Sequence, residues 1–107
     1  MDKTTVLAIV SDFRDAVQAA GVTPLKIILF GSYAAGTQRP DSDIDLVVIS
    51  DDFEGMDYWQ RIDILAGAIY QVFKPIEAVA MTPQEWQDGD SMIVNYARDG
   101  EVVFTRP

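Results

Sequence analysis

The chain has 107 residues, 49% of them hydrophobic and 23% charged, which is the balance of a globular protein with room for one domain (residues 1–107) and one modest core. It has no cysteine and no histidine, which excludes disulfides, thiolate metal sites and imidazole acid–base chemistry and leaves carboxylates, hydroxyls and a hard metal for any catalysis. Seventeen acidic against eight basic residues give a net charge of −9, which opposes direct binding to a nucleic-acid backbone.

The first predicted element is a helix over 4–20, with Val6, Val10, Phe13, Val17 and Ala20 recurring every three or four residues and Gly21 just past the end. A short β-branched run over 25–30 follows Pro24 and reads as a buried strand. Gly31 ends it and permits a tight turn with close approach of a ligand. Ser32 is the natural N-cap of a short turn, Tyr33-Ala34-Ala35, that Gly36 stops. Tyr33 either lines a pocket or packs locally. Residues 36–42 form a polar connector containing Arg39, a candidate phosphate contact.

A second strand is predicted over 43–50, then a loop to Gly55 and a long helix over 57–73 with the stripe Tyr58, Ile62, Leu65, Ile69 and Val72. Pro75 cannot continue that helix. A third strand is predicted over 76–81. Thr82-Pro83-Gln84-Glu85 carries the signature of a helix start, and Gly89 keeps that helix short. A further helical stretch over 90–98 offers Met92, Ile93 and Tyr96 as buried residues, and a last strand covers 101–104. Trp59 and Trp86 are expected in the core or an interface. The order predicts an α/β (α+β) fold: a small mixed sheet of about four strands with helices packed against it. No apolar run is long enough to span a membrane and the first residues lack a signal-peptide layout, so the expected location is cytoplasmic.

The chemistry concentrates in two places. Asp43 and Asp45 stand two apart at the head of the apolar run Ile44 to Ile49, so both side chains point to one face of a strand. Aspartates are disfavoured there and repel each other unless a cation lies between them. Hard cations such as Mg²⁺ take one or two carboxylates plus substrate phosphates. Gly31 and Ser32, at the start of a helical turn after the neighbouring strand, supply backbone amides suited to phosphate. Glu77 is the only charge in the run 75–81 and is the candidate third carboxylate of a two-metal site. Asp41, Asp51 and Asp52 read as loop acids, and Asp57, Asp63, Asp88, Asp90 and Asp99 as capping or helix-surface residues.

Gly31-Ser32-Tyr33-Ala34-Ala35-Gly36 together with Pro40-Asp41-Ser42-Asp43-Ile44-Asp45-Leu46-Val47-Val48 resembles the signature of the DNA-polymerase-beta-type nucleotidyltransferases. More narrowly it is similar to the minimal nucleotidyltransferases (MNT proteins). The resemblance implies the nucleotidyltransferase core fold, with Asp43, Asp45 and Glu77 as metal ligands and catalytic residues, Gly31 and Ser32 holding the nucleotide, Mg²⁺ as cofactor and ATP as substrate. The family usually has Asp where this chain has Glu77. MNT proteins are commonly antitoxins of all-helical HEPN-domain RNase toxins and can transfer AMP to a tyrosine of the toxin, so the implied partner is a HEPN-domain toxin in a hetero-oligomer. The acidic surface suits a basic partner. Two rival readings are a non-catalytic antitoxin that acts by complex formation alone and a small-molecule nucleotidyltransferase, the latter disfavoured by the want of a second domain to bind an acceptor.

Overall fold

The computed structural model describes residues 1–106. Its elements are α1 (Lys3–Ala19), β1 (Lys26–Phe30), α2 (Ser32–Ala35), β2 (Ile44–Ile49), α3 (Tyr58–Val72), β3 (Ile76–Met81), α4 (Pro83–Asp88), α5 (Met92–Ala97) and β4 (Glu101–Thr105). The four strands make one mixed sheet in the order β3-β2-β1-β4, with β1 antiparallel to β2 and β4, and β2 parallel to β3. This is the mixed sheet with packed helices that the pattern of elements predicts.

The helices start where the sequence supplies caps. Asp2 Oδ1 accepts from the Thr5 amide at 2.8 Å, and Asp57 and Thr82 each form a reciprocal capping box, with Gln60 and Glu85 respectively. The parallel β2–β3 pair needs a crossover, and α3 provides it.

The central strands are buried on both faces, which is why β1 and β2 read as nearly unbroken apolar runs. On one face Ile27, Leu29, Ile44, Leu46, Val48 and Ile76 pack against Val6, Val10, Phe13 and Val17 of α1 and Leu65 and Ala68 of α3. On the other, Ile28, Phe30, Val47, Ile49 and Met81 pack against Val94 and Ala97 of α5, with Trp86 partly buried beside them. Strand alternation therefore sends Asp45 and Glu77 to the α4–α5 side of the sheet.

Several predicted core positions differ. Ala20 is exposed and Ile9 replaces it in the core. Tyr58 and Ile62 of α3 are exposed, while Leu65 and Ala68 are buried; of the two places expected for Trp59, core or interface, its exposure removes the core. In α5 the buried pair is Val94 and Ala97, three apart on one side. Met92 and Tyr96 each lie two positions from Val94, about 200° around the helix, and face solvent. Among the described residues no helix is long and apolar enough to cross a membrane.

Candidate active site

The site grows from the junction of β1 and β2. Antiparallel register sets Phe30, the last residue of β1, opposite Asp45, the second residue of β2. Asp43 sits one residue before β2 begins, exposed, and Asp45 is half-buried. After Phe30 the chain must turn sharply away from the sheet. Gly31 does this at φ 73° and ψ −152°, a region that only glycine adopts without strain. Its missing side chain matters a second time: a Cβ there would overlap Asp45 Oδ2 and lie 3.1 Å from Asp45 Cγ. Gly31 thus lets a carboxylate rest directly on the backbone at the entrance to α2.

That helix is a single turn. Its N-cap is Gly31 and not Ser32, which lies inside the first turn with no side-chain capping bond. The Ala35 amide donates to Gly31 O at 3.1 Å, and Gly36, left-handed at φ 76°, ends the turn. The amides of Ser32, Tyr33 and Ala34 have no backbone partner among the described residues, as in any first helical turn. The Ser32 hydroxyl is likewise uncommitted among those residues. Tyr33 is buried and anchors the turn in the core, its hydroxyl without a hydrogen-bond partner there. Of its two expected roles, the packing one is observed. Arg39 is exposed, and its amide donates to Ser42 Oγ at 2.8 Å to close the connector.

Glu77 enters from β3. The parallel register pairs it directly with Asp45, so both side chains share one face on adjacent strands. Glu77 itself is exposed. The Asp45 carboxyl is pushed up from an ordinary 3.8 to about 6, first by burial, then by the charge of Glu77 and a hydrogen bond shared with it, and last by the charge of Asp43. Asp45 is therefore the centre of the acidic group, with Glu77 its nearer neighbour. The three acids do not form a ready-made cation cage, and no such cluster occurs among the described residues. The donor set is nonetheless all oxygen, and a cation would relieve the crowding of negative charge that raises Asp45, so these residues fit a hard divalent metal. Beside Gly31 a hollow of about 180 Å³ is lined by Phe30, Ala34, Ala35, Tyr96, Asp99 and Gly100.

The sequence pattern predicts Tyr96 as a core residue. It stands instead at this hollow, edge-on to Phe30 with ring centroids 5.8 Å apart, on the face of α5 away from Val94. No motif in the sequence marks it; only the phase of a two-turn helix places it there. Of the other acids, Asp57 and Asp88 make local contacts, whereas Asp52, read as a loop acid, makes a long-range one. Asp57 caps α3, Asp52 accepts from the Thr23 amide at 2.7 Å, and Asp88 accepts from Gln84 Nε2 at 2.7 Å.

Comparison with known proteins points the same way. The chain matches no curated protein. Among solved structures it superposes on a candidate nucleotidyltransferase from Sulfolobus solfataricus with a TM-score of 0.74 at 16% identity, covering 96% of this chain and 83% of the other. It also superposes on a chain of a toxin–antitoxin structure with AMP-PNP (TM-score 0.62, 20% identity, 94% of this chain and 73% of that one). A third is a chain of the MntA–HpeT toxin–antitoxin pair carrying two aspartate-to-glutamate substitutions (TM-score 0.55, 18% identity, 99% and 75%). At these identities the likeness shows the fold. The nucleotidyltransferase domain family matches residues 10–94, a span that contains Gly31, Ser32, Asp43, Asp45 and Glu77 together, and the chain belongs to that family.

Proposed function

We propose that this chain transfers a nucleoside monophosphate, AMP from ATP, to a hydroxyl of a partner protein, and that it thereby acts as the antitoxin of a HEPN-type RNase toxin. The observation that carries the reading is the Asp45 carboxylate, resting on Gly31 at the mouth of α2 and flanked by Glu77 and Asp43. Two structural neighbours named as toxin–antitoxin complexes, one of them with AMP-PNP, support the biological half of it.

Asp43, Asp45 and Glu77 would hold Mg²⁺. Bound there, the metal would neutralise charge on the phosphates of the nucleotide. The chain's own residues do the rest by positioning. The amides of Ser32 and Tyr33, with the Ser32 hydroxyl, bind the phosphate tail at the α2 turn. Glu77, the exposed member of the acidic group, accepts the proton of the acceptor hydroxyl at its carboxylate. The acceptor oxygen bonds to the α-phosphorus, the bond from that phosphorus to the bridging oxygen breaks, and pyrophosphate leaves.

The test is incubation with labelled ATP, Mg²⁺ and the product of the neighbouring gene. Label should pass to the partner protein and should vanish with Asp43→Ala/Asp45→Ala. Neutralisation of the partner by the double variant, with no transfer by the wild type, would establish the rival reading, a binding antitoxin. The open arrangement of the three acids is the observation that keeps that rival in view.

A further inference from the structure

β3 lies at the edge of the sheet, with β2 on one side and, among the described residues, no strand on the other. At its two ends the Ile44 amide donates to Pro75 O at 2.8 Å and the Ser50 amide to Met81 O at 3.0 Å. In a parallel ladder residues of one parity face the neighbouring strand, so Glu77 and Val79 share that orientation with Pro75 and Met81. Ala78 and Ala80 turn their N–H and C=O groups outward, and among the described residues these four groups have no partner. Exposed edges are usually blunted by lysine, proline or a bulge. The only charge in β3 is Glu77, and Pro75 precedes the strand.

In place of a block there is a groove of about 470 Å³, with Ala78, Val79 and Ala80 along its floor and Tyr58, Ile62 and Leu65 of α3 as its wall. Its ends are acidic. Glu77 stands beside Asp45 at one end, and at the other Glu85, Asp88 and Asp90 line an adjoining hollow of about 350 Å³. Arg61, the one cation lining both hollows, is already held by Glu85 at 2.6 Å. A second copy of this chain would bring like charges together at both ends, and each copy carries −9. The complementary occupant is an extended segment that is apolar in the middle and basic at its ends.

We propose that the open edge of β3 takes such a segment of the partner protein as a fifth strand, and that the added strand sets one of its side-chain hydroxyls beside Glu77. Neighbouring strands lie about 4.8 Å apart and residues in register share a face, so the residue alongside Glu77 points to the side of the sheet that carries Asp45. The docking half stands on the edge and its charges. The hydroxyl half rests on the nucleotidyl-transfer reading: that oxygen bonds to the α-phosphorus of ATP, its proton passes to Glu77, and pyrophosphate departs.

The probe is a fluorescent synthetic peptide of alternating valine and threonine with one tyrosine and two lysines at each end. Two further versions are N-methylated at alternate residues, one in each parity. Binding is read by fluorescence anisotropy with Asp45→Asn, which cannot transfer but retains β3. Strand addition predicts that N-methylation in one parity weakens binding about tenfold or more, while the other parity leaves it unchanged, because each strand presents only alternate amides to its neighbour. Ala78→Pro removes an outward N–H and no β2 hydrogen bond, so it should fold and weaken the peptide similarly. A peptide with glutamates in place of lysines should not bind. Equal losses in both parities, no saturable binding, or a dimer of this chain that Ala78→Pro dissolves would overturn the inference. So would transfer to the full partner protein undiminished by Ala78→Pro. Docking that behaves as predicted while wild type transfers no label overturns the catalytic reading alone.

Discussion

Asp45 governs what single substitutions should do. Its carboxyl has a pKa of about 6 in the folded chain against an ordinary 3.8, so the folded state binds more protons between those values. Stability must then fall as pH rises through this window: the contribution is whole below about 3.8 and gone above about 6. Asp45→Asn should flatten that part of the pH profile and leave the metal-free protein more stable than wild type at about pH 7, read as Tm across a pH series. The same variant should lose Mg-ATP binding, so stability and function move in opposite directions, as expected of a group selected for its charge. Gly31→Ala should move both downward. It forces a Cβ onto Asp45 Oδ2 and a strained backbone, at a cost of about 2 kcal/mol in urea unfolding. Asp43, expected on the same strand face as Asp45, lies one residue before β2 and is tied to Asp45 only by its charge, whereas Asp45 could be read directly from strand alternation. The Gly31 contact could not, since it needs the β1–β2 register that sets Phe30 against Asp45. Glu77 could be noticed as an isolated charge, but its place beside Asp45 is a property of the parallel pairing across α3.

Elements were readable to the extent that their signals were local. Asp57, Thr82 and Pro75 are short-range stop and start marks, and the observed ends fall at or next to them. Helix faces were harder. α3 keeps the predicted stripe, with Leu65 buried and Ile69 and Val72 packed against the core, but Tyr58 and Ile62 of the same stripe line the open groove beside β3, and periodicity does not tell where a helix outruns the sheet it covers. In α5, six residues give too few turns for a phase, and the pattern favours Met92 for the core where the structure buries Val94. The difference between cap and core has a measurable scale. Asp57→Ala removes one capping box at the surface and should cost about 1 kcal/mol. Phe13→Ala opens a cavity between α1 and the sheet, where Phe13 is fully buried, and should cost about 3–5 kcal/mol. For a domain whose whole stability is on the order of 5–15 kcal/mol, the first removes a small fraction and the second up to the whole margin at the lower end of that range. Urea midpoints of the two variants check the contrast.

The whole molecule carries −9, and the acidic group at Asp45 sits within that field. Two effects of added salt must therefore be separated. Any electrolyte screens the self-repulsion of an acidic protein and raises its Tm. A bound divalent cation adds a mass-action term that grows with its concentration over its dissociation constant. At matched ionic strength, screening predicts that MgCl2 and NaCl raise Tm nearly alike. A site at Asp45 predicts an extra rise with MgCl2, larger at about pH 7 than at about pH 5, because protonation of Asp45 competes with the cation below its raised pKa. Asp45→Asn should remove the extra rise and leave the screening response intact. Asp51→Asn, which deletes an equal charge in the turn after β2, should leave both in place. Differential scanning fluorimetry on the three proteins decides it. An extra rise that survives in Asp45→Asn would place the cation elsewhere on the acidic surface and would detach the metal from the Gly31 turn.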